Sequence, residues 1–505
     1  MPFLVTVGVV VALLAGAALA GWRAIRALHM LQLDSYLNLR YLGWVARKPG
    51  QRLFGWRPLS KKDAKKPLVY TSRARRILAV SWALLLAAAA AGAYSIPRAG
   101  AATALWTALA FVVLAHAAPP AVVLANLLLV PVQKSVNRWY YRKARAKLRR
   151  INPAVIGVAG SYGKTSTKFF IEAILREKFE VLKSPASYNT LLGICRAINE
   201  TLEERHQVFV VEMGAYRRGE VRDTARLVSP RIGIVTSIGP EHFERFKSLD
   251  NIQQTNFELI EELPREGLAL FNCDSEHCRE LALWPQRART GRYALTGVTA
   301  DTDIWAEDVR QGPHGLSFTV VLKDGARMAM RTVLLGRLNV LNILGAVLVA
   351  RELGMGLEEI AAAVGKLEPA PHRLQMSRTQ AGVTILDDSY NSNPAGAAEA
   401  FRVLSEFQGG QRVLVTPGLV ELGALQEQEN EKFGRLAARA ADCVILVGPE
   451  QTRPVARGLK AEGFPPEHTH VVKSLAEATA LLGRLLRPGD TVLFENDLPD
   501  LYTER

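Results

Sequence analysis

A buried strand that breaks into a glycine turn and re-forms as a helix leaves a chain few choices of fold. Residues Val155 to Phe170 read VIGVAGSYGKTSTKFF. Val155, Ile156 and Val158 suit the strand, Gly160-Ser161-Tyr162-Gly163-Lys164-Thr165-Ser166 the turn, and Lys168 to Phe179 the helix. That order is the context of a phosphate-binding loop. Its glycines let successive N–H groups converge on an anion, and the helix N-terminus adds its positive dipole end. Gly160, Ser161, Gly163, Lys164, Thr165 and Ser166 are therefore the candidate nucleotide contacts. Lys164 would reach the β/γ-phosphates and the Thr165 hydroxyl would ligate Mg2+. Val158 stands where the common GxxxxGK spacing has its first glycine, so the assignment also leans on segments downstream.

A net charge of +15 suggests nucleic acid until the charges are located. Residues 23–76 carry fourteen Lys/Arg against Asp34 and Asp63, and residues 134–150 carry eight more with no acid. With Arg98, 23 of the 63 basic residues precede Asn152, leaving 40 against 46 acids beyond it. The basic charge flanks apolar runs, so no nucleic-acid partner is expected.

Phe3 to Trp22 is an apolar run long enough to cross a bilayer. A signal peptide is the rival reading, disfavoured because positive charge follows the run instead of preceding it. A second span is expected over Ile77–Tyr94, and a third, kinked at Pro119-Pro120, from about Ala104 to Val132. The excess of Lys/Arg then places the N-terminus outside, and residues 23–76 and everything from Lys134 onward in the cytoplasm. The expected location is the inner (cytoplasmic) membrane, multi-pass, with cytoplasmic catalytic domains. Arg142–Arg150 reads as a basic helix on the anionic leaflet or as a solvated linker. The four cysteines form no CxxC pair and read as reduced thiols rather than a metal site.

From Ile151 short β-branched runs alternate with helical segments, as in a doubly wound sheet. Val208–Glu212, Ile232–Ser237 and Leu268–Phe271 are strand candidates. A β-rich, antiparallel stretch is expected over 299–335, with helices near 339–353 and 357–366. A second α/β unit begins near Thr384, with strands at Val383–Leu386, Val413–Thr416, Cys443–Val447 and Thr491–Phe494; Pro369–Arg373 reads as the hinge. Glu212 ends a hydrophobic strand, where a carboxylate can hold the Mg2+ that bridges ATP phosphates. His242, thirty residues on and also just past a strand, is a candidate ligand or orienting group.

These segments resemble the Mur ligase superfamily, and within it the branch that adds D-alanyl-D-alanine in peptidoglycan synthesis. GSYGKTST (160–167), SYNTLLG (187–193), VVEMGAYRRGEV (210–221), IGPEHFERFKSLDNI (238–252), GRLNVLNILGA (336–346), PAPHRL (369–374), DDSYNSNP (387–394) and ELG (421–423) follow in family order. With residues 1–150 read from their apolar runs as N-terminal transmembrane helices, the resemblance implies an α/β protein beyond them: a P-loop central domain with a doubly wound, mostly parallel sheet (151–372) and a smaller Rossmann-like domain (373–505). It implies an ATP- and Mg2+-dependent amide ligase. A donor carboxylate would take the γ-phosphoryl group, and an amine would displace phosphate from the acyl phosphate. By position Lys164, Glu212 and His242 would be catalytic, and Thr165, Glu212 and His242 would hold metal. Asn339 and Asn342 would lie near the base and Arg373 near the phosphates, while Asp388, Tyr390, Asn391 and Asn393 would complete the nucleotide site. The partners implied are ATP, a muramoyl-peptide-like donor (UDP- or lipid-linked), an amino acid or dipeptide amine, and the membrane.

Three departures qualify this. Asn256 stands where the family usually carries a carbamylated lysine. Phe494-Glu495-Asn496-Asp497 replaces its Lys-Gly-Ser-Arg stretch. The membrane segment takes the place of its UDP-binding domain. The other readings are a poly-γ-glutamyl-type ligase and a nucleotide-binding scaffold without ligase activity. A transporter is disfavoured because no intramembrane charge pair marks a path.

Overall fold

The computed structural model describes residues 2–47, 67–96, 102–185 and 188–497. Two compact units divide these between Trp139 and Tyr140. In the first, helices Pro2–Leu33 and Ser72–Ser95 are long and apolar enough to cross a membrane. The expected third span is instead two helices, Thr103–Ala115 and Ala118–Leu128, bent by 61°. Neither reaches the ~20 residues that a straight span needs, so the pair counts as one span only if taken together. The break falls at His116-Ala117, and Pro119-Pro120 sit in the first turn of the second helix, where a missing N–H costs nothing. The first helix also runs eleven residues past Trp22, so Arg23, Arg26 and His29 are helical, not loop residues. Most of the remaining basic segment, 48–66, lies outside the described residues. Asn126 ties this bundle together, donating to the Tyr36 carbonyl and to Asn38 and accepting from Arg73.

The second unit carries two sheets. The first runs β2 (Val181–Lys183), β3 (Val208–Glu212), β1 (Ala154–Ala159), β4 (Ile232–Val235), β5 (Leu268–Asn272), β6 (Arg289–Ala294), β7 (Ile304–Gly312), β8 (Gly315–Leu322), β9 (Arg327–Thr332). Strands β2 to β7 are parallel and β7 to β9 antiparallel. The expected antiparallel insertion is thus the continuous edge of this sheet. β1 is flanked by β3 on one side and β4 on the other, a switch point whose crevice opens at the strands' carboxyl ends. The second sheet runs β10 (Gln375–Arg378), β11 (Thr384–Asp388), β15 (Thr491–Glu495), β12 (Arg412–Thr416), β13 (Cys443–Val447), β14 (Thr469–Val472), all parallel except β10.

Helix Val130–Ile151 is the basic helix anticipated from its charges, but neither of the two expected settings describes its last turns. Ala144 and Leu148, one turn apart, are buried in the core beside β1 and β3. All four cysteines are free and buried. Burial pushes the Cys195 and Cys443 thiols up to about 11 and that of Cys278 to about 12.

Candidate active site

The loop after β1 closes into helix Lys164–Leu175, which starts one turn earlier than its apolar pattern suggested because Gly163 itself caps it. Gly163 has φ +83°, and a Cβ there would lie 2.7 Å from Asn342 Oδ1; one on Gly160 would meet Thr236 Oγ1 at 2.3 Å. The first two loop amides are already engaged. Gly160 N–H donates to Asn256 Oδ1 (2.6 Å) and Ser161 N–H to the Ser237 carbonyl (2.6 Å), while Ser161 Oγ bonds Gly239. These two residues shape the loop, which leaves the amides from Tyr162 onward to face an anion.

Lys164 is folded over its own loop. Its Nζ donates to the carbonyls of Gly160 (2.6 Å) and Ser161 (2.8 Å) and ion-pairs with Glu241 (2.8 Å). One turn on, Lys168 is fully buried, with Nζ 2.8 Å from Glu212 Oε2. The Thr165 hydroxyl lies 3.2 Å from both Glu212 oxygens, and Asn189 and Ser184 complete the surroundings of Glu212. A hydroxyl and a carboxylate this close fit a hard cation, which takes oxygen donors. Lys168 balances the buried charge of Glu212 on one side. His242 has no hydrogen bond to Thr165 or Glu212. Its Nδ1 bonds Glu421, in the loop after β12, and Tyr216 lies against its ring at 4.6 Å. Glu241, Lys168 and Glu421 were not anticipated as site residues. The one signal for Lys168 was its place four residues after Lys164, on the same helix face.

A cleft between the two sheets is lined by Tyr162, Gly163, Ser166, Asn339, Asn342, Arg373, Asp388, Asn391 and Asn393, among others. Asn342 accepts from Thr167 and donates to Asn339 (both 3.1 Å). Arg373 donates to the Asn391 carbonyl (2.7 Å) and sits over the Tyr390 ring (4.7 Å). Tyr390 is itself exposed and does not line the cleft. Asn393 caps helix Pro394–Ser405, accepting from Gly396 N–H (2.9 Å).

Asn256 also donates to the Ile252 carbonyl (2.8 Å), so both ends of its side chain are used. Asn256→Lys removes the acceptor for Gly160 N–H. An orphaned buried donor costs about 1–3 kcal/mol. ATP turnover is expected to persist in this variant, lowered roughly tenfold or more, as steady-state phosphate release would show.

Asp388 and Glu495 end the neighbouring strands β11 and β15 in register, Glu495 buried and Asp388 half-buried at the cleft. Burial pushes Asp388 up to about 6 and Glu495 well above the usual carboxyl range; Arg373 opposes this at both, and the contact between the two carboxyls raises Glu495 while lowering Asp388. A folded chain that holds protons the unfolded chain releases near pH 4 loses stability as pH rises through 6 and beyond. Glu495→Gln is expected to raise Tm by roughly 2–4 °C at pH 8 and to lose that gain near pH 4.5. Thermal unfolding at the two pH values checks it.

Comparison with known proteins shows the family. Residues 158–350 match the Mur ligase middle domain and 372–495 the Mur ligase, glutamate ligase domain. The chain belongs to the Mur ligase family, ATP-dependent ligases that form amide bonds. It is 31% identical to the UDP-N-acetylmuramoyl-tripeptide--D-alanyl-D-alanine ligase of Mycobacterium leprae, over 68% of this chain and 70% of that one. Among solved structures, MurF from Acinetobacter baumannii aligns with TM-score 0.64 and 25% identity, over 73% of this chain and 79% of that one. MurF ligase from Thermotoga maritima, in complex with ADP, gives the same score at 23% identity, over 73% and 82%.

Proposed function

We propose that this chain is a membrane-anchored ligase of peptidoglycan-precursor synthesis, with residues 1–150 as anchor, 151–372 binding ATP and 373–505 closing over it. The observation that carries the proposal is a single cleft lined both by the phosphate loop, at Tyr162, Gly163 and Ser166, and by Arg373 and Asp388 from the side of the second sheet.

In this reading Tyr162–Ser166 hold the phosphates, and Lys164 exchanges its loop carbonyls for them. Asn339 and Asn342 line the base end, while Arg373, Asp388 and the Tyr390–Asn393 loop approach from the other sheet. Thr165 and Glu212 would hold Mg2+, with His242 joining them only if it left Glu421, and the bound ion would supply charge neutralisation. Lys164 and the loop amides stabilise negative charge as the γ-phosphoryl group passes to the donor carboxylate. An amine then displaces phosphate. In this reading the bent helix pair Thr103–Ala115 and Ala118–Leu128 serves as the third span, which returns the chain to the cytoplasm with its ATP site, and the anchor favours a lipid-linked or membrane-proximal donor over a soluble UDP-linked one.

The test is phosphate release from ATP by detergent-solubilised protein. D-Ala-D-Ala serves as amine, and UDP-linked muramoyl tripeptide and its lipid-linked counterpart are compared as donors, with product read by mass. Stimulation by the lipid-linked donor is expected. Stimulation by the UDP-linked donor alone overturns the lipid preference, and stimulation by neither, with ATP still bound, overturns the peptidoglycan assignment.

A further inference from the structure

Helix Val130–Ile151 carries eight Lys/Arg and no acid, yet its last turns fold with the ligase core. Ala144 and Leu148 are buried there, and Tyr141 and Ile151 pack along the same stripe. Two of the cations are engaged by the protein. Lys147 Nζ donates to the Asn199 carbonyl (3.0 Å), and Arg150 pairs with Glu204 (3.4 Å). Burial, then the charges of Arg150 and Lys143, hold the Lys147 ammonium below its usual range, a sign of crowded positive charge. Arg142, Arg145 and Arg149 differ from these. They recur at i, i+3 and i+7, which puts them on one stripe of the helix, apart from the buried one. All three are exposed, and among the described residues none of their side chains has a hydrogen-bond or ion-pair partner. Like charges three and four residues apart on a helix repel one another, a cost that an anionic surface reverses. In sequence the helix begins two residues after Leu128, the end of the bent apolar pair.

We propose that Arg142, Arg145 and Arg149 rest on the anionic headgroups of the inner leaflet, so that this helix lies between the membrane surface and the ligase core. One stripe is set in the core that carries the phosphate loop, and the other meets lipid phosphate. Guanidinium forks match phosphate oxygens, and basic residues close to a membrane segment are drawn to an anionic leaflet. The inference rests on the membrane anchor proposed above and goes beyond it. The spans tether the chain, while the arginine stripe decides which side of the ligase core faces the lipid.

The experiment attaches a fluorophore to Ala146→Cys, an exposed position between Arg142 and Arg149 in a chain whose native thiols are all buried. Full-length protein is placed in nanodiscs of phosphatidylcholine alone or mixed with phosphatidylglycerol, each holding a headgroup-linked quencher. Quenching is expected to be strong in the anionic discs and weak in the neutral ones. It should fade as salt is raised to about 1 M, where the Debye length falls to roughly 3 Å. Arg142→Gln, Arg145→Gln and Arg149→Gln together are expected to lower occupancy of the lipid-bound state on the order of a hundredfold. The matching triple Lys variant, which keeps the charge, should retain most of it. Equal quenching in the two lipids, or in the Gln variant and wild type, overturns the proposal and leaves this face to solvent or an acidic protein. Flotation with neutral vesicles tests the anchor separately. Wild-type protein that fails to float removes the anchor and this inference with it, whereas protein that floats with a label blind to lipid charge overturns the stripe alone.

Discussion

Lys164→Ala is expected to abolish ATP turnover, lowering phosphate release by at least about a hundredfold, the scale set by losing one preorganised donor to transition-state charge. The folded protein should survive the change. Lys164 is bound by two loop carbonyls and by Glu241, and of these Glu241 keeps partial exposure, so the orphaned carboxylate can be hydrated. A normal unfolding midpoint with lost turnover is therefore the expected pair of results. Turnover near wild type would undo the assignment of the whole phosphate loop.

Lys168→Met is expected to act the other way, on stability first. Lys168 and Glu212 are both buried, and their 2.8 Å ion pair leaves no solvent to take over if one partner is lost. Removing one member of such a pair costs about 3–5 kcal/mol, or on the order of 10 °C in Tm for a domain this large. Methionine fills much of the lysine stem, so the loss reports charge rather than a cavity. The double variant Lys168→Met, Glu212→Gln should recover most of the stability and none of the activity. A chemical-denaturation midpoint for Lys168→Met within error of wild type would show that Glu212 is neutralised by another route.

What the sequence exposed and what it hid divide along sequence distance. The strand-loop-helix at 154–175, the carboxylate ending β3 and the parallel strands β11, β12, β13 and β15 were legible because each is a local apolar run bounded by turn residues. β2, β6 and β14 escaped, being short or only partly buried, with too little alternation to register. The site's internal pairings were hidden for a different reason. Lys168–Glu212 joins residues 44 apart, Lys164–Glu241 77 apart, Asn256–Gly160 96 apart and His242–Glu421 179 apart. No periodicity reports which lysine meets which acid. Asn256 shows this best: against the family pattern it read as a lost lysine, and in the fold it is the acceptor that anchors the loop. In the basic helix, the charges outnumbered Ala144 and Leu148 and concealed a face that packs into the core.

The inert cysteines have a practical consequence. With all four thiols buried and three of them driven to about 11 or 12, little thiolate exists at neutral pH to attack a maleimide. A single cysteine introduced on an exposed position of the second sheet's outer helices, such as Leu475, can then carry a fluorophore in the otherwise native chain. Opening and closing of the nucleotide cleft could be followed optically without first building a cysteine-free background.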